Sequence, residues 1–432
     1  MTPATRLRAA RHLAVVSVVA ALAACSSAVP SASSGPASAA QFSSGPPSSS
    51  GPPSSGTPSA ASPGWAEAQI EQASAVTDQP SGLAPAFCSP CHAASITLLF
   101  GVLAYSGGLV AMGVEEPPSQ AALWTSTDGT TWSRVRYLPA EEGSVGVAGA
   151  AGGGRVVVVG RNNAGATSWA SSDGIQWAAA PPSRSLAGPS GATAMTSLAF
   201  LGGTFVAGGF SDDPLHGTRT AAIWMSGDGL TWTRVTPQAA GGFDGDHILA
   251  MAAGSNGISA VGSTNDETHG TGVAWFSADG LTWSRDEAQD LSAGIPRSVS
   301  AHGRAGFVAA GLTAADSGAA AWTSADGLSW RSVPDQDAFH FGTSPTRMLG
   351  LAADPGLGAA VVAVGWRSDA GNGSATVWHS ADAITWTREA TLPAFSGATM
   401  SGAVATAAGS LVAVGTTGYP DNDAAAVWMR NP

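Results

Sequence analysis

Three groups of residues in this 432-residue chain have types and spacings that could do chemistry. Cys88-Ser89-Pro90-Cys91-His92 has the Cys-x-x-Cys-His spacing of c-type haem attachment, with His92 as the axial ligand. The stretch between Trp65 and Ile96 is too short for a helical haem domain, so the expectation is a Cys88–Cys91 disulfide stapling a surface connection. Haem, and metal or redox exchange, stay open as alternatives. Four metal ligands do not gather locally, and no metal or other cofactor is expected. The second group is Asp246, His247, Arg297, His340 and Arg347, polar residues in or beside the loops that precede runs of small and apolar residues. Arg offers a carboxylate two parallel hydrogen bonds, so Arg297 and Arg347 could clamp an acidic or sugar ligand. The third group is Asp128, Asp173, Asp228, Asp279, Asp326 and Asp382, each with Ser two residues before it and Trp four residues to either side. An Asp in a tight turn accepts backbone N–H groups of that turn, so these carboxylates read as structural. The His residues show no metal-ligand spacing, and neither a Gly-x-Ser-x-Gly elbow nor a phosphate loop occurs. Asp421-Asn422-Asp423 offers hard oxygens for Ca²⁺, but its spacing matches no dedicated loop.

The elements that must carry these residues repeat with a period of about 50 residues. Trp275-Phe276-Ser277-Ala278-Asp279-Gly280-Leu281-Thr282-Trp283 reads as two short strands around a turn that Gly closes at positive φ. The spacing predicts Trp275 and Trp283 opposite one another on one sheet face. Ala383 replaces that Gly in the sixth copy, so its turn should be strained or reshaped. Each hairpin follows an apolar run ending in Gly, such as Val156-Val157-Val158-Val159-Gly160 or Leu411-Val412-Ala413-Val414-Gly415. Before each run lies another, richer in small residues, that suits a crowded inner ring. Four antiparallel strands per period, without helical periodicity, predict an all-β fold: a seven-bladed β-propeller of four-stranded blades.

Ser-x-Asp-Gly-x-Thr-Trp resembles the Asp-box hairpin of sialidase-type (BNR-like) propellers, shortened by one residue between Asp and Gly. A kelch-like propeller is the near alternative. The resemblance covers about residues 95 to 432 and speaks for the fold. For a sialidase it implies three Arg on the substrate carboxylate, a Tyr nucleophile backed by Glu, and an Asp acid/base. This chain departs from that pattern. Tyr105, Tyr137 and Tyr419 are its only Tyr, none with a Glu placed by sequence to activate it. Gly294-Ile295-Pro296-Arg297 is only a scrambled echo of the Arg-Ile-Pro motif, and Arg134, Arg234, Arg285 and Arg388 belong to outer strands.

At the N-terminus, Arg6, Arg8 and Arg11 precede an apolar run from Leu13 to Ala24, as in an export signal. Leu22-Ala23-Ala24-Cys25 resembles a bacterial lipobox, which implies cleavage after residue 24 and lipid attachment at Cys25. Residues 25–62 are Ser, Pro, Gly and Ala with few exceptions and read as a disordered tether. The propeller is assigned to 63–432: a closing outer strand at 63–70, a Cys-containing connection at 71–94, and blades from 95. The last period ends at Pro432 without an outer strand of its own, so the segment around Trp65 should pair with the Trp428 strand. Removing residues 1–24 takes away three Arg and no acid, and shifts the formal charge from −12 to −15. There is no Lys. This acidic chain lacks the basic patch that nucleic acid or anionic lipid requires. The expectation is a bacterial, extracytoplasmic, monomeric lipoprotein that meets the membrane only through its lipid. Its propeller is expected to be a non-enzymatic binding or scaffolding module for protein or cell-envelope glycan. The alternative is a sialidase-like glycoside hydrolase with its site at the central channel mouth.

Overall fold

A computed structural model describes residues 64–72 and 96–431, apart from 189–191, 214–217, 236–242, 244–245, 265–269, 287–289, 303–305, 354–360, 370–371 and 419–422. Cys25, Cys88, Cys91, His92 and Tyr419 therefore lie outside the described residues, as do the signal and tether. Seven antiparallel sheets follow one another along the chain as the blades of a propeller. Their inner strands are Ile96–Tyr105, Val145–Gly152, Ala192–Leu201, Asp246–Gly254, Gly294–Ala301, Thr346–Ala352 and Ala398–Ala405, for blades 1 to 7. Each runs from the upper face, where the chain arrives from the preceding blade, to the lower face, where the Asp hairpins turn. Between blades lie apolar layers, each built around Trp. One joins Ile223 and Ile258 of blades 3 and 4 to Trp275 and Trp283.

Residues 64–72 bridge the two ends of the ring. Trp65–Glu67 pairs antiparallel with Ala424–Arg430 and supplies the fourth strand of blade 7, with Trp65 opposite Arg430. Gln69–Ile70 then pairs in parallel with Thr131–Arg134, the outer strand of blade 1. The second pairing has no signature in the sequence. It leaves no free edge where the first and last blades meet, since one short strap is hydrogen-bonded to both.

The hairpin geometry corrects one expectation. Trp275 lies opposite Arg285, and not opposite Trp283. Trp283 instead belongs to the turn, where its Nε1 donates to the Gly280 carbonyl at 2.9 Å. Both rings still bury in the same layer. Ala383 keeps the turn shape at φ 62°, and Asp382 Oδ1 still accepts from Ile384 and Thr385.

Every inner strand carries a β-bulge at one level, which the repeat did not reveal. The Gly that ends each second-strand run stands beside it. A Cβ on Gly262 would lie 2.0 Å from the His247 carbonyl oxygen, and the equivalent Gly of the other six blades are equally tight. The terminal Gly of the apolar runs thus serves the bulge: no side chain fits where the bulged backbone approaches. The residues just past the bulges are Gly, Ala or Ser in all seven blades, because neighbouring inner strands nearly touch. A Cβ on Gly350 would stand 2.8 Å from the Gly402 Cα.

Candidate functional site

The extra residue of each bulge is Phe100, Val147, Thr196, Leu249, Arg297, Leu349 and Ser401, in blade order. Thr196 Oγ1 donates to the Ile248 carbonyl of the next inner strand at 2.5 Å, which ties blades 3 and 4 together at this level. Arg297 is the single charged residue of the seven, and it is half-buried. Asp246 and Arg347 begin the inner strands on either side of it, in blades 4 and 6. The three lie near the upper ends of successive inner strands, as their loop positions suggest.

Their environments differ from a set of free ligand-binding groups. Asp246 is buried and accepts from Arg285 Nη2 at 3.0 Å. Arg347 is also buried. Its Nε donates to Asp316 Oδ1 at 2.6 Å, its Nη2 binds the other oxygen, and its guanidinium lies 5.4 Å from the Trp366 ring. His247 is fully buried, edge-on to Phe210 at 6.4 Å, and no ligand can touch it. His340 pairs with the exposed Asp335 at 2.7 Å on the loop between blades 5 and 6, and its carbonyl accepts from Arg388. Of these candidates Arg297 alone stands at a bulge, on the inner strand between those that carry Asp246 and Arg347.

Asp316 is the residue that sequence reasoning missed. It lies in the upper loop Ala314–Gly318 of blade 5 with φ 52°, and its N–H donates to the Thr313 carbonyl at 2.8 Å. A non-Gly residue held in the left-handed region marks a position that the surroundings over-determine. Its carboxylate is partly exposed while Arg347 grips it. Only the pairing with Arg347, 31 residues away in sequence, gives it significance. An ion-paired, partly exposed carboxylate can accept sugar hydroxyls or serve as a base toward water.

The outer-strand Arg residues also point to the upper face. Arg134 Nε donates to Glu115 at 2.6 Å, Arg285 holds Asp246, and Arg388 holds the His340 carbonyl. The first Trp of five hairpins donates its Nε1 to an incoming upper segment: Trp124 to Glu71, Trp169 to Pro139, Trp224 to Ser185, Trp322 to Asp290 and Trp378 to Ala338. The hairpins thus fix the loops that frame the mouth. Beside blade 2 these loops enclose a cavity of about 70 Å³ lined by Glu141, Asn162, Trp169 and Leu186, which has room for water but not for a sugar ring.

Of the described Tyr, Tyr105 donates its hydroxyl to the Asp173 carbonyl at the lower face, and burial and then Asp173 push its pKa up. Tyr137 is an exposed residue just past an outer strand. No group of three or more His, Cys, Asp or Glu among the described residues could hold a metal ion.

No protein-family model and no curated protein matches the chain. Solved structures do. The sialidase of Trypanosoma rangeli, bound to the inhibitor DANA, is similar at 13% identity and a TM-score of 0.46, over 78% of this chain and 55% of its own. A GH32 β-fructofuranosidase of Bombyx mori with sucrose is similar at 9% identity and 0.35, over 78% and 90%. An exo-β-1,3-galactanase of Clostridium thermocellum is similar at 12% identity and 0.34, over 54% and 57%. The matched region of this chain spans about half the length of the sialidase. The expectation of a non-enzymatic binding or scaffolding module is corrected here, because the company of these structures is sialidases and glycoside hydrolases, the class first given as the alternative. At these identities the likeness itself is one of fold.

Proposed function

We propose that the propeller is a glycoside-hydrolase-like protein that takes a saccharide at the upper axial mouth, over blades 4 to 6. The observation that carries the reading is Arg297, the one charge in a ring of seven bulge residues otherwise apolar or hydroxylated. A guanidinium at this level suits a sugar that bears a carboxylate, which it can meet with two parallel hydrogen bonds. Asp316, oriented by Arg347, is the carboxylate for acid/base or nucleophilic work on the bond to be cleaved. Asp246 and Arg285 brace the neighbouring blade. Residence on the outer side of a bacterial membrane, tied through lipid at Cys25, belongs to the same proposal, and the mass of the mature N-terminal peptide tests it.

Turnover of a panel of fluorogenic glycosides, with sialosides and glucuronides beside neutral sugars, tests the activity. The expected result is hydrolysis confined to acidic sugars, cut about 100-fold or more by Asp316→Asn and weakened in KM by Arg297→Ala. No turnover, or turnover indifferent to both changes, overturns the site.

A further inference from the structure

Four large apolar side chains among the described residues stand mostly in solvent, and three of them occupy one position of the repeat. Ile175, Leu281 and Ile384 each follow the turn residue of a hairpin tip and are 64%, 54% and 52% exposed. Leu230 and Leu328 fill the same position half-buried, and only Thr130 of blade 1 is polar there. Single apolar residues on a surface need no explanation, but an aliphatic residue at five of six tips does. Leu230 packs on the layer between blades 2 and 3, whereas the three exposed side chains contribute little to a core.

All these tips lie on the lower face. The turns that join inner to second strands there include Ser106-Gly107, Gly153-Gly154, Gly202-Gly203 and Ser255-Asn256, which are uncharged. Beside each aliphatic tip stands the turn Asp, its carboxylate ionised and anchored by backbone N–H groups. The chain also joins the propeller at this face, because Trp65 pairs with Arg430 at the lower end of its strand. The chain before Gly64 leads back to Cys25, the lipid-attachment residue of the function proposed above.

We propose that the lower face rests on a lipid surface rich in zwitterionic headgroups. Ile175, Leu281 and Ile384 dip among the acyl chains, and the adjacent carboxylates meet the ammonium groups. A formal charge of −15 once residues 1–24 are removed, −12 less the three Arg of that segment, disfavours a strongly anionic surface. Several shallow insertions on one rigid ring act together, and the chain that joins at the same face holds them close to the bilayer. The upper mouth then faces away from the membrane. This orientation stands or falls independently of any hydrolase activity.

The test uses the full-length chain on vesicles of phosphatidylcholine and phosphatidylethanolamine, with photoreactive benzoylphenylalanine in place of Leu281 or, on the upper face, of the exposed Glu142. The expected result is lipid adducts from position 281 and none from 142. Adding Ile175→Ser and Ile384→Ser should cut the yield at 281 by about tenfold while thermal stability holds, since both residues are exposed tips. Absence of lipid adducts at 281, equal yields from the two faces, or adducts to a second copy of the chain would overturn the proposal.

Discussion

Each hairpin Asp is held ionised by its own turn. Asp128 is lowered to about 2, through a hydrogen bond from the Thr130 side chain and then the N–H groups of Thr130 and Thr131. Asp382 is lowered to about 2 by the N–H groups of Thr385 and Ile384. At Asp228 burial pushes the pKa up, but the N–H groups of Thr231 and Leu230 outweigh it and the carboxyl again falls to about 2. A carboxyl whose folded pKa lies below its unfolded value stabilises the fold above the unfolded value, and that contribution fades as pH falls toward the folded one. The expected outcome is a melting temperature that declines steeply from about pH 4 to about pH 2, with a weaker decline in Asp228→Asn. Melting scans across that range check it, and a flat profile would contradict the role of these turns.

The strand is the scale at which the sequence was legible in part. Ser and Trp at fixed distances from an Asp announced every complete hairpin, since the turn chemistry is local, and the apolar runs ending in Gly announced the second strands. The bulge was hidden because it adds one residue to a strand without changing its composition, yet it shifts the register of every inner strand. Gly262 gives the clearest test. Replacing it by Ala puts a Cβ against the His247 carbonyl, and Gly262→Ala is expected to cost about 3 kcal/mol or more in chemical denaturation. A cost below about 1 kcal/mol would show that the bulge yields. The Trp–Arg register was also hidden: the spacing suggested two facing Trp, but the strands place Arg opposite the first Trp and free the second for the turn. Asp316 escaped notice because neither its backbone angle nor its partner Arg347 shows in its neighbours along the chain.

Seen as a whole, the molecule separates its tasks by face. The upper face carries loops braced by Trp and Arg from the hairpins, and the lower face carries the tips. The ring is held shut by residues 64–72, and Trp65 is the central side chain of that strap. It packs against Phe395 at 6.3 Å, donates to Glu389 at 3.0 Å and lies 5.2 Å from the Arg430 guanidinium. Trp65→Ala is expected to cost about 3 to 5 kcal/mol, read as a lowered denaturation midpoint, whereas an unchanged midpoint would mean that the ring closes without it. The axial mouth unites the inner strands of blades 4 to 6, and the claim made for it is recognition of an acidic sugar through Arg297. Calorimetric titration of the intact chain with N-acetylneuraminic acid and methyl glucuronide, beside methyl glucoside, tests that claim most directly. Heat of binding is expected for an acidic sugar alone, lost in Arg297→Ala and retained in Arg136→Ala, an exposed Arg in the turn just past the outer strand of blade 1. Equal binding of acidic and neutral sugars, or binding untouched by Arg297→Ala, would contradict it.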